Sequence, residues 1–228
     1  MSYHLVVFDW DGTLMDSTGA IVRAAQAAIE ELGWPALPAE RIREIIGLGL
    51  RESWDRLFPG GPVEGFDAFV LSYRKHFFAA EQQTSRLYPG MRMMLRRLRV
   101  RGHPLAVATG KSRRGLDRDF ERTGVGDFFV TSCTADESRS KPSPEMLLAL
   151  MQRVGVVPER VLMVGDTEYD LEMARRAGVD SVAVTWGAHG TERLRACAPR
   201  ACFSDLGSLT GWLERQEAGS APGAGGQR

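Results

Sequence analysis

The chain has 228 residues, 43% hydrophobic and 25% charged, the balance of an ordinary globular protein with enough length for one large domain or a core plus a small companion. Lys plus Arg and Asp plus Glu number 29 each, so the formal net charge is zero, which argues against whole-molecule attraction to nucleic acid or an anionic membrane. No apolar run approaches the ~20 residues of a membrane span, no secretory leader is read at the start, and Cys133, Cys197 and Cys202 are expected to be free thiols in a reducing cytoplasm.

Taken in chain order, the first predicted element is a strand, Leu5-Val6-Val7-Phe8, which runs directly into Asp9, Trp10 and Asp11. The next stretch shows only helical periodicity and breaks. Residues 17–32 read as an alanine-rich helix ended by Gly33-Trp34-Pro35. Residues 38–46 read as a short helix, 50–58 as another stopped by Pro59-Gly60-Gly61-Pro62, and 65–82 as a longer one. This excursion is far longer than an ordinary connection and reads as a helical bundle inserted after the first strand. Tyr88-Pro89-Gly90 returns the chain to a helix over 90–101. From there strands alternate with helices. The strands are expected at 104–108, 128–132, 160–165, 181–186 and 201–203, and the helices at 112–123, 144–154, 168–177, 190–197 and 206–216. Continuous apolar strands alternating with helices predict an α/β fold with a parallel sheet covered on both faces. The tail over 217–228, rich in Gly, Ala, Pro and Ser, has nothing to bury and is expected to be disordered.

Two carboxylates at the end of a buried strand repel each other and resist burial. Ligands of open α/β sheets sit beyond the carboxyl ends of the strands, and other polar groups fall at those ends. Asp166 and Asp170 follow the strand over 160–165, Thr109-Gly110-Lys111 follows the strand over 104–108, and Lys141 lies beyond the strand over 128–132. A cleft holding several carboxylates needs positive charge among them. A hard divalent cation with oxygen ligands meets that need, Mg²⁺ first, and Mg²⁺ favours phosphate-bearing substrates. In such a cleft one carboxylate attacks phosphorus. The second protonates the departing oxygen and then activates water. The metal, Lys141 and the Thr109 hydroxyl steady the charge on the transferring group.

The segments FDWDGTLMDS (8–17), VATGK (107–111), SKPSPE (140–145) and VGDTEYD (164–170), in that order, resemble the haloacid dehalogenase-like hydrolases. The resemblance is to the helical-cap branch (subfamily I), and within it to the phosphoglycolate phosphatase group. It implies a Rossmann-like parallel-sheet core over 1–15 and 88–216, with an inserted helical cap domain over 16–87. It also implies a role for each matched position. Asp9 is the expected nucleophile and a Mg²⁺ ligand. Asp11 is the general acid/base, with its backbone carbonyl on the metal. Thr109 and the Gly110 amide bind phosphate, and Lys141 bridges nucleophile and phosphate. Asp166 ligates Mg²⁺, and Asp170 holds the metal's waters. Gly12 permits the tight turn, and Thr13 is expected to bond back to its own loop. Trp10 stands where a smaller aliphatic residue is usual. Its amide is expected to donate to phosphate and its ring to narrow the cleft.

Other residues have plainer readings. Asp16 and Ser17 are expected to cap the first cap helix. Gly47 and Gly49 are either a helix break or part of a substrate loop. Arg51, Arg113 and Arg114 read as solvated helix positions, and Trp54, Met93 and Met94 as packing residues. His4, His76, His103 and His189 show no ligand spacing. The expected activity is Mg²⁺-dependent hydrolysis of a small phosphorylated metabolite, phosphoglycolate-like, through an aspartyl-phosphate, by a cytoplasmic monomer or homodimer with no nucleic-acid or membrane partner. Asp11 argues against a dehalogenase, which needs no such acid. A phosphomutase, a pyrophosphatase or nucleotidase, and a non-catalytic binding module that kept the fold remain as alternatives.

Overall fold

The computed structural model describes residues 2–61, 63–84 and 86–218. A short strand β1 (Ser2–Tyr3) precedes β2 (Leu5–Phe8), all four of whose residues are buried. Side chains alternate across a strand. Leu5 and Val7 therefore pack into one cluster with Ala106 and Met163, while Val6 and Phe8 pack on the opposite face with Val107 and Val164. A strand covered on both faces has no polar position, which is why LVVF is apolar throughout.

The chain leaves this layer through β3 (Met15–Asp16) and returns through β4 (Arg86–Leu87), which pairs antiparallel with β3. Between them lie α1 (Thr18–Glu31), α2 (Ala39–Arg43), α3 (Leu50–Leu57) and α4 (Val63–Thr84). These helices share their own apolar cluster, in which Ala24, Ala25 and Ala28 of α1 meet Trp54, Leu57, Phe69 and Phe77. The Trp54 ring lies 4.6 Å from the Phe58 ring and 5.8 Å from that of Phe69, the packing role expected of it. The helix expected over 38–46 ends at Arg43. Residues 44–47 turn instead, and Gly47 takes the positive φ of 97° that completes the turn.

The rest of the chain is α5 (Met91–Val100), β5 (Leu105–Thr109), α6 (Arg113–Thr123), β6 (Thr131–Thr134), α7 (Glu145–Val154), β7 (Val161–Gly165), α8 (Glu168–Arg176), β8 (Asp180–Val184), α9 (Thr191–Ala196), β9 (Cys202–Phe203), α10 (Leu206–Glu214) and β10 (Glu217–Ala218). Six strands form one parallel sheet in the order β6-β5-β2-β7-β8-β9. Chain order reverses between β2 and β7, the position at which α/β sheets of this kind open a crevice. The strand expected over 128–132 begins only at Thr131. Gly126–Phe128 forms a 3₁₀ turn, and the Phe129 ring stacks on Phe120 at 5.5 Å instead of extending the strand. Glu217–Ala218 pairs in parallel with Ser2–Tyr3, so order reaches two residues into the expected tail. Residues 219–228 of that tail lie outside the described residues. All three cysteines are free thiols. Among the described residues no helix is long and apolar enough to cross a membrane.

Candidate active site

The strand register assembles the site. Phe8 of β2 aligns with Val164 of β7, and the Asp9 amide donates to the Val164 carbonyl at 2.9 Å. Asp9 and Asp166 therefore emerge at the same edge of the sheet, and both are buried. Gly12 turns the chain with a φ of 88° directly against the Asp166 carboxylate, where any Cβ would collide with it. Thr13 does not bond back to its own loop as expected. Its hydroxyl donates across to Asp166 Oδ1 at 2.7 Å, and the Ala188 amide donates to Oδ2 at 2.7 Å. Lys141, from the loop before α7, is buried, with its Nζ 2.6 Å from Asp9 Oδ1 and 2.7 Å from Asp170 Oδ1. Asp170 also caps α8: its Oδ2 accepts from the Thr167 hydroxyl at 2.7 Å and the Thr167 amide at 3.1 Å. The ammonium and the cap together fix the direction of that carboxylate.

Asp9, Asp166 and Asp170 bring carboxylate oxygens within 4.8 Å of one another. With one lysine among three carboxylates, the fully ionised cluster carries two uncompensated negative charges. Burial pushes the Asp9 carboxyl well above its usual range; Lys141 opposes the rise, and the neighbouring Asp170 and Asp166 charges add to it. Burial, reinforced by Asp170, lifts Asp166 to about 7, against the pull of the Ala188 amide and the Thr13 hydroxyl. Burial works to lower the Lys141 ammonium, but Asp170 and Asp9 hold it above its ordinary value, so it stays charged. The buried Asp9 Oδ2 has no hydrogen-bond partner among the described residues. An orphaned carboxylate oxygen, an all-oxygen donor set and two excess negative charges fit a hard divalent cation.

Asp11 stands apart from this cluster. Its Oδ1 accepts from the Ser17 hydroxyl at 2.7 Å and lies 3.3 Å from Lys111 Nζ. Ser17 occupies the position preceding α1, but its side chain makes no cap hydrogen bond, which corrects the expected capping role; Asp16 is exposed in β3. Lys111, quoted in VATGK but given no role there, also lies 3.2 Å from the buried Asp119. The indole nitrogen of Trp10 donates to Asp119 Oδ2 at 2.7 Å, and its ring packs edge-on to Phe120 at 5.3 Å. The Trp10 ring is thus buried beneath the site and does not narrow the cleft, contrary to expectation. Neither Asp119 nor the Ser17 contact is marked by any strand-end signal; their roles depend on how α6 and the loop after β2 are oriented.

Asp9, Asp11, Thr109, Gly110 and Lys111 line a cavity of about 640 Å³ that extends towards α1, α3 and α4. Thr109 ends β5 and is buried, its hydroxyl accepting from the Lys111 amide at 3.1 Å. The loop between α2 and α3 closes over this edge. A Cβ on Gly110 would lie 2.5 Å from the Leu48 carbonyl oxygen and 2.7 Å from that of Gly47. The Gly49 amide donates to Ser140 Oγ at 2.7 Å. Gly47 and Gly49 thus lie beside Gly110 and Ser140, with Gly47 at the cavity wall.

The site has counterparts elsewhere. A protein of Pseudomonas putida named phosphoglycolate phosphatase is 33% identical over 90% of this chain and 78% of its own. One of Chromobacterium violaceum with the same name is 37% identical over 80% of this chain and 85% of its own. The crystal structure of a hydrolase from Pseudomonas syringae superposes with a TM-score of 0.85, at 22% identity, over 94% of this chain and 98% of that one, a likeness of fold. Residues 6–184, which run from β2 to the end of β8 and contain every carboxylate described above, match the haloacid dehalogenase-like hydrolase family, and the chain belongs to it.

Proposed function

We propose that the protein is a Mg²⁺-dependent phosphoric monoester hydrolase that works through a phosphoaspartate on Asp9. The observation that carries this reading is Asp9 itself. It is buried at the cavity wall, one oxygen is held by Lys141 at 2.6 Å, and the other is unpartnered among the described residues. Relatives named phosphoglycolate phosphatase support the class of reaction.

In the first step a carboxylate oxygen of Asp9 attacks phosphorus, and the bond from phosphorus to the alcohol oxygen breaks. Asp11 gives its proton to the departing oxygen. In the second step the Asp11 carboxylate takes a proton from water, which attacks the phosphoaspartate and frees Asp9 and inorganic phosphate. Ser17 and Lys111 hold Asp11 Oδ1, leaving its carboxyl oriented at the cavity between the two steps. The Thr109 hydroxyl and the amides of Trp10 and Gly110 are donors for the phosphoryl oxygens, and Lys141 keeps a positive charge between Asp9 and Asp170. Asp9, Asp166 and the Asp11 carbonyl, with Asp170 behind, would hold Mg²⁺, which would supply the positive charge between an anionic carboxylate and an anionic phosphoryl group. Residues 16–87 act as the cap that excludes water from the core over 1–15 and 88–216.

Asp9→Asn, with the fold verified, is expected to lower kcat by at least ~10³-fold, the scale of losing a nucleophile. Phosphate release from a panel of esters, phosphoglycolate included, with the anhydride pyrophosphate alongside, is the measurement. Near-normal release by the variant would remove Asp9 as nucleophile. An isomerised ester without free phosphate would point to a mutase.

A further inference from the structure

We infer that the site takes phosphate esters of bulky, apolar alcohols in preference to two-carbon acids; the inference rests on the phosphomonoesterase reading above and names its substrate class. The cavity has about 640 Å³ of room, the range of pockets that enclose a drug-sized ligand. A two-carbon ester at Asp9 would leave most of it to water. Asp9, Asp11 and Thr109 line it at the sheet edge, and Ser53 of α3, Tyr73, Arg74 and Lys75 of α4 and Arg118 of α6 also contribute. The apolar part of the wall is Ile21 and Ala25 of α1, Ile45 and Leu48 of the loop between α2 and α3, Leu57 of α3 and Phe69 of α4, all buried. Protein interiors are otherwise close-packed. A hollow lined by buried aliphatic and aromatic side chains is a surface whose contacts a ligand supplies.

The cations of the lining do not contradict this. A small substrate with a carboxylate beside its phosphate needs a cation deep in the cavity. Lys111 of the lining is held by Asp11 and Asp119 and packs its ammonium 4.7 Å from the Phe77 ring centre. Lys75 is paired with Glu31 at 2.8 Å, and the Arg118 guanidinium lies over Phe78 at 4.4 Å. Arg74 and Arg114 are exposed. The deep wall therefore recognises hydrocarbon, and discrimination comes from apolar surface removed from water.

The test is a series of straight-chain alkyl phosphates from ethyl to hexyl, with 2-phenylethyl phosphate and phosphoglycolate alongside. Leaving-group basicity is nearly constant along the alkyl series, so kcat/KM reports the wall and not the chemistry. Each CH₂ moved from water to an apolar wall is worth up to about fourfold. We expect a gain of at least about tenfold from ethyl to hexyl, with phosphoglycolate below hexyl phosphate. In parallel, calorimetry on the Mg²⁺-loaded wild-type protein measures Kd for the matching alkylphosphonates, which cannot be hydrolysed, and the same trend is expected. A flat or falling series with phosphoglycolate best would overturn the inference and leave the phosphatase reading intact. No turnover, with phosphonates still binding more tightly as the chain lengthens, would overturn the phosphatase reading and uphold the apolar site. No turnover and no dependence on chain length would overturn both.

Discussion

Lys141 occupies the most demanding position in the molecule. Its side chain is wholly inaccessible, and its Nζ touches one carboxylate at the end of β2 and another in the first turn of α8. Removing one partner of a buried ion pair costs far more than the pair contributes, because the remaining charge stays buried without compensation. Lys141→Met keeps much of the volume and strands Asp9 and Asp170. We expect it to lower the stability of the metal-free protein by roughly 3–5 kcal/mol at pH 8. The loss is expected to be smaller at pH 5 than at pH 8, because burial shifts the Asp9 carboxyl towards its protonated form. Denaturant titrations at the two pH values measure it, and equal losses would show that the lysine does not compensate these carboxylates. At this scale the sequence marks the groups at strand ends: Asp9, Thr109 and Asp166 fall where continuous apolar runs stop, while Lys141, in the loop before α7, is marked by its segment SKPSPE. It does not mark groups whose role depends on orientation within an irregular segment. Ser17 looks like a helix cap because Ser commonly is one, yet its hydroxyl points at Asp11. Asp119 sits within a charge-rich helix, and only the packing of α6 shows that it is buried against Trp10.

Elements were legible where burial leaves a single option. β2, β7 and β8 are apolar runs bounded by polar residues because both faces of the sheet are covered, and their expected limits differ from the observed ones by at most two residues. β6 starts later than its sequence suggests because Phe128 and Phe129 have the composition of a strand but pack on the core cluster beside Phe120. The turn at residues 44–47 reads as helix in the sequence, since nothing local to Ile45 and Ile46 tells a helix from a turn that buries both. That turn sets the distance between the two layers at the site. Gly110 has no Cβ because the Gly47 and Leu48 carbonyls occupy the space, and both obstacles are backbone. Gly110→Ala must push the loop away from Thr109. A displacement of about 1 Å from productive geometry can cost on the order of 10² in rate, so kcat/KM is expected to fall by that order while Tm changes little. Steady-state kinetics beside a thermal melt measure both. An unaltered kcat/KM would show that the loop between α2 and α3 takes no part in closing the site.

At the scale of the whole molecule, the parallel sheet brings acidic strand ends together at the point where chain order reverses, and the fold carries an electrostatic cost that depends on pH. Asp166 rises from an ordinary 3.8 to about 7, chiefly through burial and then through Asp170. A carboxyl whose pKa is higher in the folded than in the unfolded state binds its proton more tightly when folded. Its contribution is fully present below the unfolded value and is lost as pH climbs through the folded one. Asp9 shifts in the same direction. The metal-free protein is therefore expected to lose stability from this cluster between about pH 4 and pH 7. Mg²⁺ competes with those protons, so it stabilises little at pH 5 and most at pH 8. His103 and His189, which burial holds below their usual pKa, act in the opposite sense: the unfolded chain takes up protons there first, and stability falls as pH drops. His103 does so with or without metal and cancels in the difference between paired melts; His189, which the Asp170 charge raises, is lowered further by a bound ion and adds to the carboxylate trend in the same direction. Thermal melts in EDTA and in saturating Mg²⁺, at each pH from 5 to 8, should give a Tm difference that widens with pH. A difference that is constant, or larger at pH 5, would mean that Asp9, Asp166 and Asp170 are not the groups that receive the ion.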